Sequence, residues 1–195
     1  MLQKIIIVFG IIGGGSVFAQ AENFTGTSVA FNTGFNSTNL KVEGQAPFST
    51  NSTPSIIDTS YTFALSPKVT LAIGINYDLT DTPVISSGDW SEVEWLLKNH
   101  YSINIEPGYV LSENTLGYIK LAYHSARSYY KAYSSDSDIY GIGYGFGTKV
   151  FISKDLFLNL EIQKTDYAAF TQSSFGDVTV KHTTTTSTIG IGYRF

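Results

Sequence analysis

The sequence predicts an all-β protein, an eight-stranded antiparallel up-and-down transmembrane β-barrel. Three observations support this prediction. Large apolar residues alternate with small or polar residues in eight separate runs, which is the period of a β-strand. The connections between the runs are alternately short and long, as they are at the two ends of a membrane barrel. Only 14% of the residues are charged, against about 25% in soluble domains, so we expect much of the surface to face something other than water.

Each predicted strand carries one row of apolar side chains. The rows occupy residues 29–35, 61–65, 69–77, 101–109, 119–123, 142–146, 156–162 and 189–195. Short turns follow the second, fourth and sixth rows. The predicted long loops are residues 39–58, 80–99, 125–138 and 166–182. An even number of strands lets the last strand pair with the first, which leaves no open edge.

Alternation alone leaves open which face points inward, because a soluble eight-stranded barrel would bury its apolar rows. In the third and sixth runs the other face consists of Thr, Ala, Gly and Asn, with Asp78 as its only charge. That face would be a poor surface for water, but it suits the lining of a narrow barrel, where glycines leave room for larger neighbours. We therefore expect the apolar rows to face lipid. Aromatic girdles are then expected from Tyr61, Tyr101, Tyr109, Tyr123 and Tyr193, with Trp95 in the upper one.

Residues 1–21 are predicted to be a signal peptide, which leaves residues 22–195 as a single barrel domain. Lys4 precedes an apolar run at residues 5–15, which is shorter than the roughly 20 residues of a spanning helix. Cleavage is expected after Ala21 or, alternatively, after Ala19, and an uncleaved membrane anchor is the other interpretation. The chain has no cysteine and a net charge of -4, which excludes disulfides and argues against a nucleic-acid partner.

Three stretches resemble a known family: "IEPGYVLSENTLGYIKLAY" (105–123), "YGIGYGFGTKVFISKDLFLNLEIQ" (140–163) and "IGIGYRF" (189–195). They are similar to the opacity-protein-like, OmpA-type family of small outer-membrane β-barrels. The resemblance implies a monomer in the outer membrane of a Gram-negative cell, surrounded by lipid and lipopolysaccharide. Tyr193 and Phe195 resemble the terminal signal of such barrels, which implies recognition by the barrel assembly machinery.

Five charged residues fall on the predicted lumen face: Glu106, Lys120, Lys149, Glu161 and Arg194. Glu106 and Lys120 flank one short turn, and Lys149 and Glu161 flank the next, so the hairpin registers would place each pair together. A buried charge is costly unless it is paired, and we therefore expect ion pairs that fill and rigidify the barrel. A narrow gated channel, or minor porin, is the alternative.

Recognition is expected in the long loops, because the strands are fixed by the barrel. The candidate residues are Trp90, Arg127, Tyr129, Tyr130 and Tyr133, whose types are favoured at protein contacts. These observations predict a non-enzymatic surface protein for envelope integrity or for adhesion through its loops. Alternatively, the aromatic residues only cap the barrel mouth or touch lipopolysaccharide.

A more distant alternative is a lipid A-modifying enzyme, because the element His100-Tyr101-Ser102 resembles the His-x-Ser element of lipid A deacylase barrels. Ile103 stands where that resemblance expects Asn. No acid is expected to orient His100, since Glu106 lies roughly 13 Å further along an extended strand. The three histidines lack metal-ligand spacing, so no metal and no cofactor is expected.

Overall fold

The computed structural model describes residues 21–44, 47–85, 95–130, 135–172 and 178–195. A short 3₁₀ helix, Ala21–Phe24, precedes the strands. In chain order the strands are β1 Gly26–Val42, β2 Phe48–Ser52, β3 Ser55–Ser66, β4 Val69–Asp78, β5 Thr82–Ile85, β6 Trp95–Ser112, β7 Thr115–Tyr130, β8 Ser135–Phe151, β9 Leu156–Tyr167, β10 Phe170–Gln172 and β11 Val178–Arg194. In this part of the chain no helix is long and apolar enough to cross a membrane.

Eight of these strands form a closed antiparallel ring in the order β11, β9, β8, β7, β6, β4, β3 and β1. The ring closes because β1 also pairs with β11, in a register that runs from Ser28 opposite Arg194 to Val42 opposite Val180. The three short strands β2, β5 and β10 pair along the end that carries the long connections. We call this the loop end and the opposite one the turn end. The predicted eight-stranded barrel is confirmed.

The apolar rows point out of the barrel, as predicted. Ile103 is 52% exposed, whereas its neighbour Ser102 is 1% exposed on the inner face. The same contrast holds along the other strands, because consecutive side chains of a strand point to opposite faces. The outer wall is therefore apolar and the lumen polar, which is the arrangement of a barrel in lipid.

Exposed aromatic residues form a ring near each end of the apolar wall. The loop-end girdle contains Phe35, Tyr77, Tyr101, Tyr123 and Tyr140, and the turn-end girdle contains Tyr61, Phe63, Tyr109, Tyr193 and Phe195. Such rings mark the two membrane interfaces. The membrane-spanning part of each strand lies between them.

Several strands continue beyond the loop-end girdle, and here the prediction of a long loop at residues 125–138 is wrong. β7 extends to Tyr130 and β8 begins at Ser135. Above the girdle the polarity of the two faces reverses. The outer face is polar there because it meets water instead of lipid, and the inner face is apolar because apolar side chains pack in the barrel mouth. Ala126 is buried in the mouth, while its neighbour Arg127 is exposed on the outer face.

Candidate functional site

Five charged side chains from five strands meet in the lumen between the two girdles. The Nζ atom of Lys120 lies 3.0 Å from Oε2 of Glu161, 3.5 Å from Oε1 of Glu106 and 3.8 Å from Oδ2 of Asp58. The Nζ atom of Lys149 lies 2.9 Å from Oε2 of Glu106. All five residues are largely buried, so these two lysines and three carboxylates form one ion cluster that fills the cross-section. A buried cluster of this kind is tolerable only because every charge has a partner.

The expected pairing of Lys149 with Glu161 is wrong. The register of β8 with β9 places Asn159 opposite Lys149 and Gly147 opposite Glu161. Because β8 offers a glycine at this level, side chains of β7 pass over it and reach β9. The Tyr118 hydroxyl donates to Glu161 across Gly147 at 2.8 Å, and Lys120 reaches the same carboxylate.

Asp58 belongs to the ion cluster although the sequence analysis placed it in a loop. It lies on β3, opposite Ala30 of β1 and Asn76 of β4. Asp58 lies two and four residues before Ser60 and Thr62, which face inward, and residues at this spacing share one face of a strand. This spacing was the signal that could have assigned Asp58 to the lumen face.

Arg194 does not join the ion cluster, contrary to the sequence prediction. Its Nη2 atom lies 3.6 Å from Oδ1 of Asp155, and its guanidinium carbon lies 4.8 Å from the ring centre of Phe151. It lies at the turn end because β11 finishes there, below the level at which the lumen charges meet. Nearby, Tyr193 and Phe195 pack edge to face on the outer wall at 5.0 Å, and the Phe195 amide donates to the Thr27 carbonyl.

A chain of hydrogen-bonding side chains lies in the lumen on the loop-end side of the ion cluster. Nδ1 of His100 lies 2.7 Å from Oδ2 of Asp78, and Nε2 of His100 lies 2.9 Å from Nδ1 of His124. Nε2 of His124 in turn contacts the Gln163 amide. The expectation that no acid orients His100 is therefore wrong, because Asp78 on β4 supplies one.

A bulge in β6 changes which of its side chains face inward. His100 and Ser102 face inward on one side of the bulge, and Leu97 and Trp95 on the other. The register of β6 with β7 shifts between Lys98 and Tyr101, and Asn99 has a positive φ of 49°. Nε2 of His100 points to His124, whereas Oγ of Ser102 has no hydrogen-bond partner in the described part of the chain. A nucleophile must contact its base, so these residues do not form a serine–histidine pair.

Two apolar clusters close the lumen above and below these polar groups. The mouth cluster at the loop end consists of Leu40, Val84, Trp95, Leu97, Ala126, Ile139, Tyr167 and Val180. The plug at the turn end consists of Ala21, Phe24, Val110 and Leu116, with Phe151 packed against it. Trp95 is 2% exposed inside the mouth cluster, so its expected place in the outer girdle is wrong.

His182 is fully buried among the residues of the mouth cluster. Its ring stacks on Phe170 with 5.6 Å between the centres and meets Trp95 edge to face at 5.5 Å. Neither ring nitrogen has a hydrogen-bond partner among the residues described. His182 lies five residues beyond Ser187, which pairs with Phe35 of the loop-end girdle, and so lies outside the membrane-spanning segment.

A cavity of about 40 Å³ remains between the mouth cluster and the ion cluster. Asn36, Asn76, His100, Ser102, Glu161 and Gln163 are among the residues that line it. This volume suits one or two water molecules and no larger ligand. Within the described ranges, no group of three His, Cys, Asp or Glu side chains could hold a metal ion.

The predicted recognition residues have different positions. Arg127 lies on the outer face of β7, 3.6 Å from Asp136 and 3.5 Å from Asp138 of β8. The Tyr129 ring lies 4.2 Å below the Nζ atom of Lys98. For Tyr130 the structure describes the backbone, which pairs with Ser135 and Trp95. Trp90 and Tyr133 lie outside the described residues.

A model of the outer membrane protein beta-barrel domain matches residues 7–195. The chain belongs to this family. The family confirms the resemblance predicted from the sequence and implies a place in the outer membrane of a Gram-negative cell. In such barrels the long connections are extracellular and the short turns periplasmic, so the loop end is extracellular.

Two solved structures show the same fold at low sequence identity. Ail, the attachment invasion locus protein of Yersinia pestis, is 15% identical over 87% of this chain and 99% of its own, with a TM-score of 0.52. Neisserial surface protein A is 12% identical over 88% of this chain and 98% of its own, with a TM-score of 0.57. No curated protein sequence matches the chain.

Proposed function

We propose that this barrel is a non-enzymatic surface protein that presents a rigid extracellular rim for recognition and contributes to envelope integrity. One observation supports this proposal above the others: the lumen is filled at three levels, while the strands continue past the extracellular girdle. A filled lumen stiffens the wall, and the extended strands then hold exposed side chains in fixed positions.

The rim of β6, β7 and β8 carries the side chains best suited to contact a ligand. Arg127 and Tyr129 are two residues apart on the outer face of β7, and Lys98 of β6 pairs with Arg127 in register. Arginine and tyrosine are enriched at protein contacts. Because these residues lie on strands, little conformational entropy is lost when they bind, which favours recognition by the rim.

The rim is tested by replacing Arg127 and Tyr129 together with serine. Attachment of producing cells to epithelial monolayers is the measurement, and heat-modifiable gel migration checks that the barrel is folded. The matched control is Lys68→Gln/Lys154→Gln, which removes two exposed charges from the turn end. We expect attachment to fall at least fivefold in the rim variant alone. Equal attachment by the rim variant and the unmodified protein would contradict recognition by this face.

A narrow gated channel is the second candidate, and the lumen cavity is the observation in its favour. The cavity is lined by both His124 and Glu161, so it connects the histidine chain to the ion cluster. The mouth cluster and the plug must both move before an ion could pass. We expect silent planar bilayers; discrete conductance steps that change in Lys120→Gln would support the channel instead.

The lipid A-modifying enzyme is disfavoured by geometry. Asp78 does orient His100, but the histidine faces His124 rather than Ser102, and the cavity beside them, of about 40 Å³, is too small for an acylated sugar. Mass spectra of lipid A from cells with and without the protein are therefore expected to be identical. Loss of an acyl chain only in producing cells would establish the enzyme.

A further inference from the structure

Two histidines face each other in the lumen, on the inner side of β6 and β7. Ser102 lies directly opposite His124 in the register of these strands, so His100 is the diagonal neighbour of His124. The Nε2 atom of His100 and the Nδ1 atom of His124 are 2.9 Å apart, and the planes of the two rings differ by 10°. Neither the ion cluster nor the extracellular rim uses this histidine pair.

The neighbours of the histidine pair determine which ring nitrogens carry lone pairs. The Asp78 carboxylate can only accept, so the proton of His100 lies on Nδ1, 2.7 Å from Asp78, and Nε2 keeps its lone pair. The Thr165 hydroxyl lies 3.4 Å from Nε2 of His124 and can accept a proton from it, which leaves a lone pair on Nδ1. Histidines that bind metals are oriented in this way, through the ring nitrogen that does not bind.

The charges of the lumen favour a cation beside Asp78. Apart from Arg194, which pairs with Asp155 at the turn end, the described lumen carries four carboxylates and two ammonium groups. The carboxylates are those of Asp58, Asp78, Glu106 and Glu161, and the ammonium groups are those of Lys120 and Lys149. With neutral histidines, four negative and two positive charges leave an excess of two negative charges. A buried excess is costly, and one divalent cation would balance it.

The cavity beside the histidine pair provides room for an ion and its water ligands. Its volume of about 40 Å³ suits an ion together with one or two water molecules. The Ser102 hydroxyl lines this cavity, is buried and has no hydrogen-bond partner in the described part of the chain. The Tyr167 hydroxyl lies 3.2 Å from Nε2 of His100. Both hydroxyls are therefore placed to hold water molecules that are bound to an ion between the histidines.

We propose that His100 and His124 bind one divalent transition-metal ion, Zn²⁺ or Cu²⁺, and that Asp78 positions His100. Imidazole nitrogen is a preferred ligand of both ions. Zn–N bonds of about 2.05 Å at a tetrahedral angle hold two nitrogens about 3.3 Å apart, so the pair has to open by only about 0.4 Å. No group of three His, Cys, Asp or Glu side chains that could hold a metal lies within the described ranges, so water completes the coordination.

The proposal is tested by refolding the untagged chain from urea in a neutral detergent that contains ZnCl₂, so that the ion need not pass the mouth cluster. After desalting, mass spectrometry with an inductively coupled plasma measures the zinc in the folded protein. The test variants are His100→Gln and His124→Gln, and the control is His182→Phe, which removes a buried histidine outside the proposed site. Heat-modifiable gel migration checks that each variant is folded.

We expect one zinc ion per barrel in the unmodified protein and in the control. Either test variant should retain at least about tenfold less zinc, because one of the two nitrogen ligands is lost. A zinc-free unmodified barrel would overturn the proposal and show that protons balance the excess charge. Equal zinc in a test variant and the unmodified barrel would also overturn it.

Copper gives a measurement that does not depend on the folding of the histidine variants. The electron paramagnetic resonance spectrum of Cu²⁺ in the unmodified barrel should show hyperfine coupling to two nitrogen nuclei. A spectrum without nitrogen coupling would refute the assignment to His100 and His124. Refolding with MgCl₂ is the matching control, because Mg²⁺ prefers oxygen ligands and should not be retained. Equal retention of Mg²⁺ would show an electrostatic site without imidazole ligands.

The variant Asp78→Asn tests the positioning residue. It preserves the side-chain shape and removes one of the uncompensated negative charges, while both histidines remain. We expect zinc retention to fall by about tenfold, with copper still coupled to two nitrogen nuclei. Zinc retention equal to that of the unmodified barrel would contradict the charge balance on which the proposed site depends.

Discussion

The Nζ atom of Lys149 lies 2.9 Å from Oε2 of Glu106, although β7 separates their two strands in the ring. Both side chains are buried in the middle of the barrel, so removal of one partner leaves an uncompensated charge. We expect Glu106→Gln or Lys149→Met alone to lower the free energy of unfolding by about 3 to 5 kcal/mol. Urea unfolding in lipid vesicles measures this change.

Two comparisons complete that test. Lys98 and Asp81 form an exposed pair at 4.0 Å, so Lys98→Met should cost less than about 1 kcal/mol. The double variant Glu106→Gln/Lys149→Met should cost less than the sum of the two single variants, because no unpaired charge remains between them. Additive costs would show that the two residues do not act as a pair.

Acid is expected to loosen the mouth cluster through His182. Burial in apolar surroundings lowers the pKa of His182 from 6.5 to about 4. When the mouth is open, His182 takes up a proton below pH 6.5, whereas in the closed mouth it does so only near pH 4. The closed mouth therefore keeps its full stability above pH 6.5 and loses up to about 3 kcal/mol as the pH falls to 4. Hydrogen exchange of the amides of residues 178–184 should report this opening.

The control for the acid test is His182→Phe, which keeps a ring against Phe170 and removes the ionisable nitrogens. Neither nitrogen has a hydrogen-bond partner in the described part of the chain, so the substitution breaks no such bond there. Tyr167 also packs against the His182 ring and remains unchanged in the variant. If exchange in the phenylalanine variant accelerates equally between pH 7 and pH 4, another group controls the mouth.

Gly147 is expected to tolerate no side chain. A Cβ atom there would overlap the ring and hydroxyl of Tyr118 and lie 2.6 Å from the Leu160 carbonyl oxygen. Tyr118 crosses this position to bond Glu161, so Gly147→Ala should displace it and destabilise the barrel by about 1 to 3 kcal/mol. Gly117→Ala is the control, because its Cβ would meet only the flexible Leu111 side chain. Equal unfolding midpoints for Gly147→Ala and the unmodified barrel would show that the tyrosine adapts.

The burial of Ala21 bears on where the predicted signal peptide is cut. Ala21 is 1% exposed in the turn-end plug, and its amide donates to the Pro67 carbonyl at 2.9 Å. Cleavage after Ala21 would remove this residue and place a charged terminus beside the plug, whereas cleavage after Ala19 would keep it. We therefore expect Gln20 as the first residue of the exported protein. An intact mass that corresponds to a protein starting at Glu22 would contradict this expectation.

The sequence predicted the membrane-spanning part of the fold because lipid imposes one simple rule on every strand. Ile103 and Ile105 had to face outward and Asn104 inward, and the structure has them so. Above the girdle that rule no longer holds. Arg127 faces water and Ala126 faces the packed mouth, so the same alternation was interpreted as a loop.

The lumen was predictable in composition but not in its pairings. Glu106 and Lys120 lie on one hairpin, and their contact at 3.5 Å follows from its register. The contacts of Lys120 with Glu161 and of Lys149 with Glu106 each skip a strand, and they depend on side chains crossing the interior. Local sequence cannot supply such contacts. The bulge at Asn99, which turns Leu97 and Trp95 into the barrel mouth, also gave no signal in the pattern.

The seam between β1 and β11 has a consequence for biogenesis. Thr186 donates to Asn36 across this seam, a bond between residues 150 positions apart. The cylinder cannot seal while the polypeptide is still being synthesised, since its final strand leaves the ribosome last. Until insertion, both edge strands remain unpaired and the apolar wall has no lipid around it, so we expect the unfolded chain to need protection from aggregation before it reaches the membrane.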